Sequence, residues 1–164
     1  LTEIADRTIA TDRGGRSLRI RRLIYSDLPA VLAIERRSFA TPWSLAMFVL
    51  ALSKPSGICL AVVDETERLA AYLVCSRYDD LWHLMNVAVD PSRRREAIAS
   101  ELIHTLFERI RPDDRVTLEV RVSNTAAIRM YERFGFRSAG LRRRYYHDND
   151  EDALIMWRQA PLRD

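Results

Sequence analysis

The stretch Asn86-Val87-Ala88-Val89-Asp90-Pro91-Ser92-Arg93-Arg94-Arg95-Glu96-Ala97-Ile98-Ala99-Ser100 holds the change of period on which the fold turns. Up to Val89 the chain is strand-like and apolar. Beyond Asp90-Pro91, Ile98, Leu102, Ile103, Leu106, Phe107 and Ile110 recur every three or four residues, the stripe of an amphipathic helix that closes before Pro112. A helix beginning near Arg95 presents unpaired backbone N–H groups and the positive end of its dipole to the turn, and small Ala97 and Ala99 let a bulky anion approach the backbone. A pyrophosphate suits that arrangement; a solvated basic turn suits the composition equally well.

Working back from this junction, Ile58 to Asp64, Leu69 to Arg77 and Leu81 to Val89 are strand-like and separated only by Glu65-Thr66-Glu67-Arg68 and Asp79-Asp80. Connections this short make an antiparallel meander. Leu18 to Ile24 alternates as an edge-like first strand. A helix follows with Leu28, Val31, Leu32, Ile34 and Phe39 on its apolar side, Ser26 or Asp27 as cap and Pro29 in its first turn. Thr41-Pro42-Trp43-Ser44 interrupts it, and a second short helix through Met47, Phe48 and Leu52 ends by Pro55, a pair suited to wall a pocket.

Working forward, Val116 to Val122 reads as a strand, and Ala126, Ala127, Met130, Tyr131 and Phe134 mark a helix that stops at Gly135 in the left-handed conformation. Phe136 to Arg142 and Ala153 to Trp157 are extended and bridged by the turn-prone Asp148-Asn149-Asp150-Glu151-Asp152. The order is strand, two helices, three strands, helix, strand, helix, two strands, which predicts a mixed α/β sheet with helices packed on it.

The chain has 164 residues, 48% hydrophobic and 30% charged, with 5 Gly and 6 Pro. That length and balance specify one self-sufficient core and exclude disordered and collagen-like classes. With 26 basic and 23 acidic residues the net charge of +3 is too small for nucleic-acid binding by the whole surface, and direct nucleic-acid binding is not expected. Local clusters, Arg93 to Arg95 and Arg142 to Arg144, can still meet phosphate. Cys59 and Cys75 have no metal-type spacing and are too few for a disulfide framework, so a reducing compartment and no metal are expected. No apolar run approaches the roughly 20 residues of a membrane span, and the first seventeen residues lack the apolar stretch of a secretory signal. A cytoplasmic protein without a membrane partner is the expectation. Residues 1–17, polar and ending near Arg13-Gly14-Gly15-Arg16, are expected to form a flexible extension ahead of a single domain over residues 18–164.

Two residues have chemistry to offer. In Leu118-Glu119-Val120-Arg121, alternation sends Glu119 to the face opposite Leu118 and Val120, where a carboxylate can accept an amine proton; it can equally form a surface ion pair with Arg121. Tyr131 lies seven residues beyond Asn124, itself a suitable helix cap. A phenol of ordinary pKa about 10 can protonate a departing thiolate whose conjugate acid lies at about 8.5, although Tyr131 also continues the core stripe of Ala127 and Phe134.

Taken together, these stretches resemble the GNAT acyltransferase superfamily, and within it the bacterial ribosomal-protein alanine N-acetyltransferase branch. Asn86 to Ala99 is similar to the family's strand followed by an Arg/Gln-x-x-Gly-x-Gly/Ala turn, and Leu118 to Arg121 to its Leu-Glu-Val-Arg strand. Asn124, Ala127, Tyr131, Gly135 and Phe136 match its Asn-x-x-Ala-x-x-x-Tyr-x-x-x-Gly-Phe helix. Phe39 to Ser44, Arg142 to Tyr146 and Glu151 to Met156 resemble further parts of that branch, so the likeness covers most of the chain beyond Leu18. One departure stands out: Ala97 occupies the place of the family's first glycine, which is costly if that position requires positive φ and tolerated in a helical conformation.

The resemblance implies a GNAT-like mixed, mostly antiparallel twisted sheet of about six to seven strands with helices on both faces. It implies acetyl-CoA as co-substrate, with the pyrophosphate on the backbone of Arg94, Arg95, Glu96, Ala97, Ile98, Ala99 and Ser100. The pantetheine would run beside Val87 and Val89, held by Asn124 with Ala127 next to it. Glu119 would be the general base for the acceptor amine and Tyr131 the general acid for the thiolate, in a direct transfer that uses neither cysteine. Pro42, Trp43, Asn86, Tyr145 and Tyr146 would flank the acceptor. That acceptor would be a protein N-terminus, on a ribosomal protein by the branch resemblance; a lysine side chain is the nearest alternative. A weakened relative serving as a binding module is a further one, resting on Ala97.

Overall fold

The computed structural model describes residues 7–11, 14–94 and 97–159. Eight strands form one sheet: β1 (Arg7–Thr11), β2 (Ser17–Arg22), β3 (Ile58–Val63), β4 (Leu69–Tyr78), β5 (Leu81–Val89), β6 (Arg115–Arg121), β7 (Arg137–Tyr146) and β8 (Glu151–Arg158). Their spatial order is β1-β2-β3-β4-β5-β6-β8-β7, and of the neighbouring pairs β5 and β6 alone run parallel. A parallel neighbour needs a crossover. Here it is α3 (Ile98–Arg109), which carries the chain from the end of β5 back to the start of β6.

The remaining helices are α1 (Leu28–Ser38), α2 (Leu45–Ser53) and α4 (Thr125–Arg133). Side-chain parity divides the core in two. Leu60, Val62, Leu73 and Leu84 face Leu102, Ile103 and Leu106 of α3 and Tyr131 of α4. Ala61, Val63, Tyr72 and Val74 face Val31 and Ile34 of α1 and Phe48 of α2. The central strand β4 is therefore buried without a break from Leu69 to Ser76, which is why its sequence shows no alternation. Local signals set the helix ends: Pro29 lies in the first turn of α1, and the Ser44 hydroxyl accepts the Met47 N–H at the start of α2.

The meander, the helices on both faces and the mixed sheet agree with expectation, but three details differ. The sheet has eight strands rather than six or seven, because Arg7–Thr11 pairs antiparallel with β2 inside the segment read as an aperiodic extension. Five residues, of which Ile9 packs on the core, are too short to display a period. Next, α3 starts at Ile98 rather than near Arg95, after an extended Arg94. Finally, β5 carries a bulge: Leu84 opposes Cys75 and Asn86 opposes Val74, so Met85 is the extra residue.

Candidate active site

The parallel pairing of β5 with β6 covers only Leu81 with Arg115, Trp82 with Val116 and His83 with Thr117. Both strands continue, β5 to Val89 against β4 and β6 to Arg121 against β8. Between their carboxyl halves the sheet opens, and from Leu84 to Val89 one edge of β5 has no strand partner. Backbone polar groups are rarely left unmet. An extended ligand laid in the gap satisfies them as a strand would.

The wider end of this gap meets the start of α3. Ala97 is its N-cap in the left-handed region, φ 58° and ψ 19°, with no side chain capping the helix. The N–H groups of Ile98, Ala99 and Ser100 belong to the first turn and lack intrahelical acceptors. Ile98 buries its side chain in the core and offers only its backbone. Arg94 is exposed beside them; Arg95 and Glu96 lie outside the described residues. Arg93 donates to buried Asp64 at 2.7 Å. Asp90 accepts from the Ser92 backbone and hydroxyl and from Arg37, which closes the turn that leads into α3.

Tyr131 is placed by the end of its own helix. Gly135, at φ 90°, lets the Phe136 N–H reach the Tyr131 carbonyl at 3.1 Å and the Gly135 N–H reach that of Glu132 at 3.0 Å. These two bonds are the Schellman closure, with Phe136 packed on the Tyr131 ring at 5.6 Å as its apolar contact. Burial pushes the Tyr131 phenol up to about 12, with neighbouring Tyr146 adding to the rise. It stays protonated throughout the working range, a donor always in the donating state, though a weaker acid than a solvated phenol. At the other end of α4, Asn124 accepts the Ala127 N–H at 3.3 Å, and among the described residues its amide N–H groups are not engaged.

Glu119 projects from the opposite sheet face, at the point where β5 and β6 part. Its Oε2 lies 2.6 Å from His83 Nε2 and its Oε1 3.5 Å from an Arg142 guanidinium nitrogen. The hydrogen bond from His83 is the main cause that lowers the carboxyl below its ordinary value, against burial, with the charges of His83 and Arg142 assisting. The expected alternative, an ion pair with Arg121, does not form: Arg121 binds Asp148 and Glu151 instead and lies over the Tyr146 ring at 3.9 Å. Tyr146 is thereby fixed within electrostatic reach of both Glu119 and Tyr131.

A cleft of about 300 Å³ opens beside Glu119, lined by Tyr78, Leu81, His83, Thr117, Arg142, Ile155 and Trp157. Tyr145, packed edge-on to Tyr146 at 5.1 Å, stands next to it. Trp43 packs on Phe48 at 5.2 Å, with Pro42 exposed beside it. The Trp43 backbone N–H donates to Glu35, a carboxylate only 1% exposed that also accepts from the Tyr72 hydroxyl and from the Asn86 amide at 3.0 and 3.1 Å. Asn86 therefore turns its amide nitrogen onto α1. Glu35 and Tyr72 were not singled out from the sequence; His83, whose strand position before Asn86 suited either the substrate groove or an exposed face, and Arg142, read as one of a phosphate-meeting cluster, both line the cleft beside Glu119. Glu35 did leave a signal, a carboxylate at a core position of the α1 stripe, seven residues after Leu28.

Among the described residues no cluster of His, Cys, Asp or Glu is placed to hold a metal ion, and no helix is long and apolar enough to cross a membrane. Burial pushes the Cys59 thiol up to about 11 and raises Cys75 further, so neither is primed as a thiolate.

An open gap between two parallel strands, a left-handed turn into a helix and flanking carboxylate and phenol define an acyl-CoA-dependent transferase. The acetyltransferase (GNAT) family matches residues 28–136, and the chain belongs to that family: it is an N-acetyltransferase with acetyl-CoA as co-substrate. It is 37% identical over 135 residues to the [ribosomal protein bS18]-alanine N-acetyltransferase of Escherichia coli (strain K12), covering 80% of this chain and 90% of that one. It is 34% identical over 140 residues to a putative enzyme of the same name from Bacillus subtilis (strain 168), covering 84% and 93%. The crystal structure of the Escherichia coli ribosomal-protein-S18-alanine N-acetyltransferase superposes with a TM-score of 0.81 at 34% identity, over 90% of this chain and 96% of that one. Arabidopsis thaliana NAA60 in complex with acetyl-CoA shares the fold, with a TM-score of 0.76 at 22% identity over 87% and 99% of the two chains.

Proposed function

We propose that this enzyme acetylates the α-amino group of a protein N-terminus, with a ribosomal protein beginning in alanine as its acceptor, in the cytoplasm. The observation that carries the reading is Glu119, an ionised carboxylate facing a cleft where β5 and β6 separate. The names of the relatives supply the acceptor class.

Bound acetyl-CoA supplies an acetyl group already activated as a thioester. Val87 and Val89 offer the open edge of β5 to its extended arm, with Asn124 and Ala127 on the far side. Ile98, Ala99 and Ser100 offer N–H groups to its pyrophosphate, with Arg94 and Ala97 beside them. Pro42, Trp43, Asn86, Tyr145 and Tyr146 bound the approach of the acceptor. Glu119 takes a proton from the acceptor ammonium. The C–N bond forms as the C–S bond breaks, Tyr131 gives its phenolic proton to the departing thiolate, and the acylated nitrogen sheds its extra proton to the phenolate, so that the phenol is restored and the one net proton leaves to solvent from Glu119. An α-amino group, of ordinary pKa about 7.7 to 8.0, demands less of such a base than a lysine at about 10.4.

The test is a peptide panel with labelled acetyl-CoA: an alanine-first ribosomal peptide, the same peptide with a blocked N-terminus and an internal lysine, and N-terminal variants. Label on the free α-amine alone is the expected result. Label on the blocked peptide's lysine would replace this reading by side-chain acetylation, and acetyl-CoA binding without transfer to any peptide would replace it by a binding role.

A further inference from the structure

His83 enters none of the roles above, yet it makes the shortest contact of the presumed base. It is the last β5 residue paired with β6, opposite Thr117, and its Nε2 lies 2.6 Å from Glu119 Oε2. Two heteroatoms that close share a proton. With the carboxyl held ionised, the proton belongs to the imidazole, so Nε2–H donates and Oε2 accepts. That bond occupies one carboxylate oxygen and leaves Oε1 toward the cleft, with Arg142 at 3.5 Å.

Resting on the N-terminal acetyltransferase reading, we propose that His83 is the positioning residue of Glu119: it orients the carboxylate through Nε2–H and keeps Oε1 turned to the cleft. The cleft around the pair is lined by Tyr78 of β4, Arg142 of β7, and Ile155 and Trp157 of β8. Arg142 approaches the other carboxylate oxygen at 3.5 Å, a longer contact than the 2.6 Å from His83.

Three variants separate the parts. His83→Ala is expected to lower kcat/KM for the alanine-first peptide on the order of tenfold to a hundredfold while acetyl-CoA affinity and melting temperature stay close to wild type. His83→Gln keeps an N–H donor and is expected to recover most of that loss, in kcat rather than in peptide KM. In a 15N-histidine spectrum, the Nε2–H of His83 should be protected from exchange and move in Glu119→Gln, a readout independent of any acceptor; His104 and His147 serve as internal controls.

A His83→Gln enzyme as slow as His83→Ala, a His83→Ala enzyme with the wild-type rate, or a His83 ring protonated only on Nδ1 would each overturn the proposal while leaving N-terminal transfer intact. A wild-type enzyme that binds acetyl-CoA yet acetylates no peptide removes the functional reading, and the proposal falls with it.

Discussion

Ala97 is an L-residue held at φ 58°, in the backbone region that glycine enters freely and other residues enter at a cost of roughly 1–2 kcal/mol. Its methyl group is exposed and contributes little packing. Ala97→Gly should therefore stabilise the fold by about 1 kcal/mol after allowing for glycine's larger entropy in the unfolded chain, a rise of roughly 2–4 °C in melting temperature. Thermal unfolding with and without acetyl-CoA checks this, and a larger ligand-induced shift in the variant would show that the methyl also obstructs the anion. Tyr131 invites the complementary substitution. Tyr131→Phe removes a hydroxyl with no hydrogen-bond partner among the described residues and keeps the ring on Phe136. Single-turnover transfer should fall on the order of a hundredfold with acetyl-CoA affinity nearly unchanged, and an unaltered rate would remove the phenol from proton transfer.

At the scale of elements, α1 and the Pro42-Trp43 turn are tied to the sheet by one carboxylate. Glu35→Ala would strand the Tyr72 hydroxyl, the Asn86 amide and the Trp43 N–H, and should cost about 2–4 kcal/mol in urea unfolding. Glu35→Gln, which keeps an acceptor oxygen, should cost less. Peptide KM should rise more than acetyl-CoA KM in both, because the wall that loosens is the one carrying Trp43. This network marks the boundary of what the sequence discloses. Tyr131 and the strand face of Glu119 follow from local rules, a glycine stop four residues on and a period of two, so both were legible. Glu35 meets Tyr72 and Asn86 across 37 and 51 residues, and His83 meets Glu119 across 36. No local period encodes such meetings; they depend on strand register, and the β5 register contains a bulge at Met85 that the sequence does not announce. β1 escaped for a different reason, since an edge strand of five residues has almost no pattern to show.

At the scale of the whole molecule, the sheet is continuous through β4 and incomplete between β5 and β6. Acetyl-CoA laid along that gap should slow amide exchange from Leu84 to Val89 and at Ile98 to Ser100, while β3, already paired on both edges, changes little. Hydrogen–deuterium exchange with and without the donor reads this directly. Protection confined to the α3 turn would mean that the nucleotide end binds without the arm entering the sheet.

The same gap has a second consequence. Tyr131 stands with the core under α3 and α4, and Glu119 on the face covered by α1 and α2. The sheet is a partition, and the break between β5 and β6 is a window through it, with the Tyr131 phenol on one sill and the Glu119 carboxylate on the other. Two reactants that come up on opposite sides can both be in place before either leaves, and neither has to hand its cargo to the protein in passing.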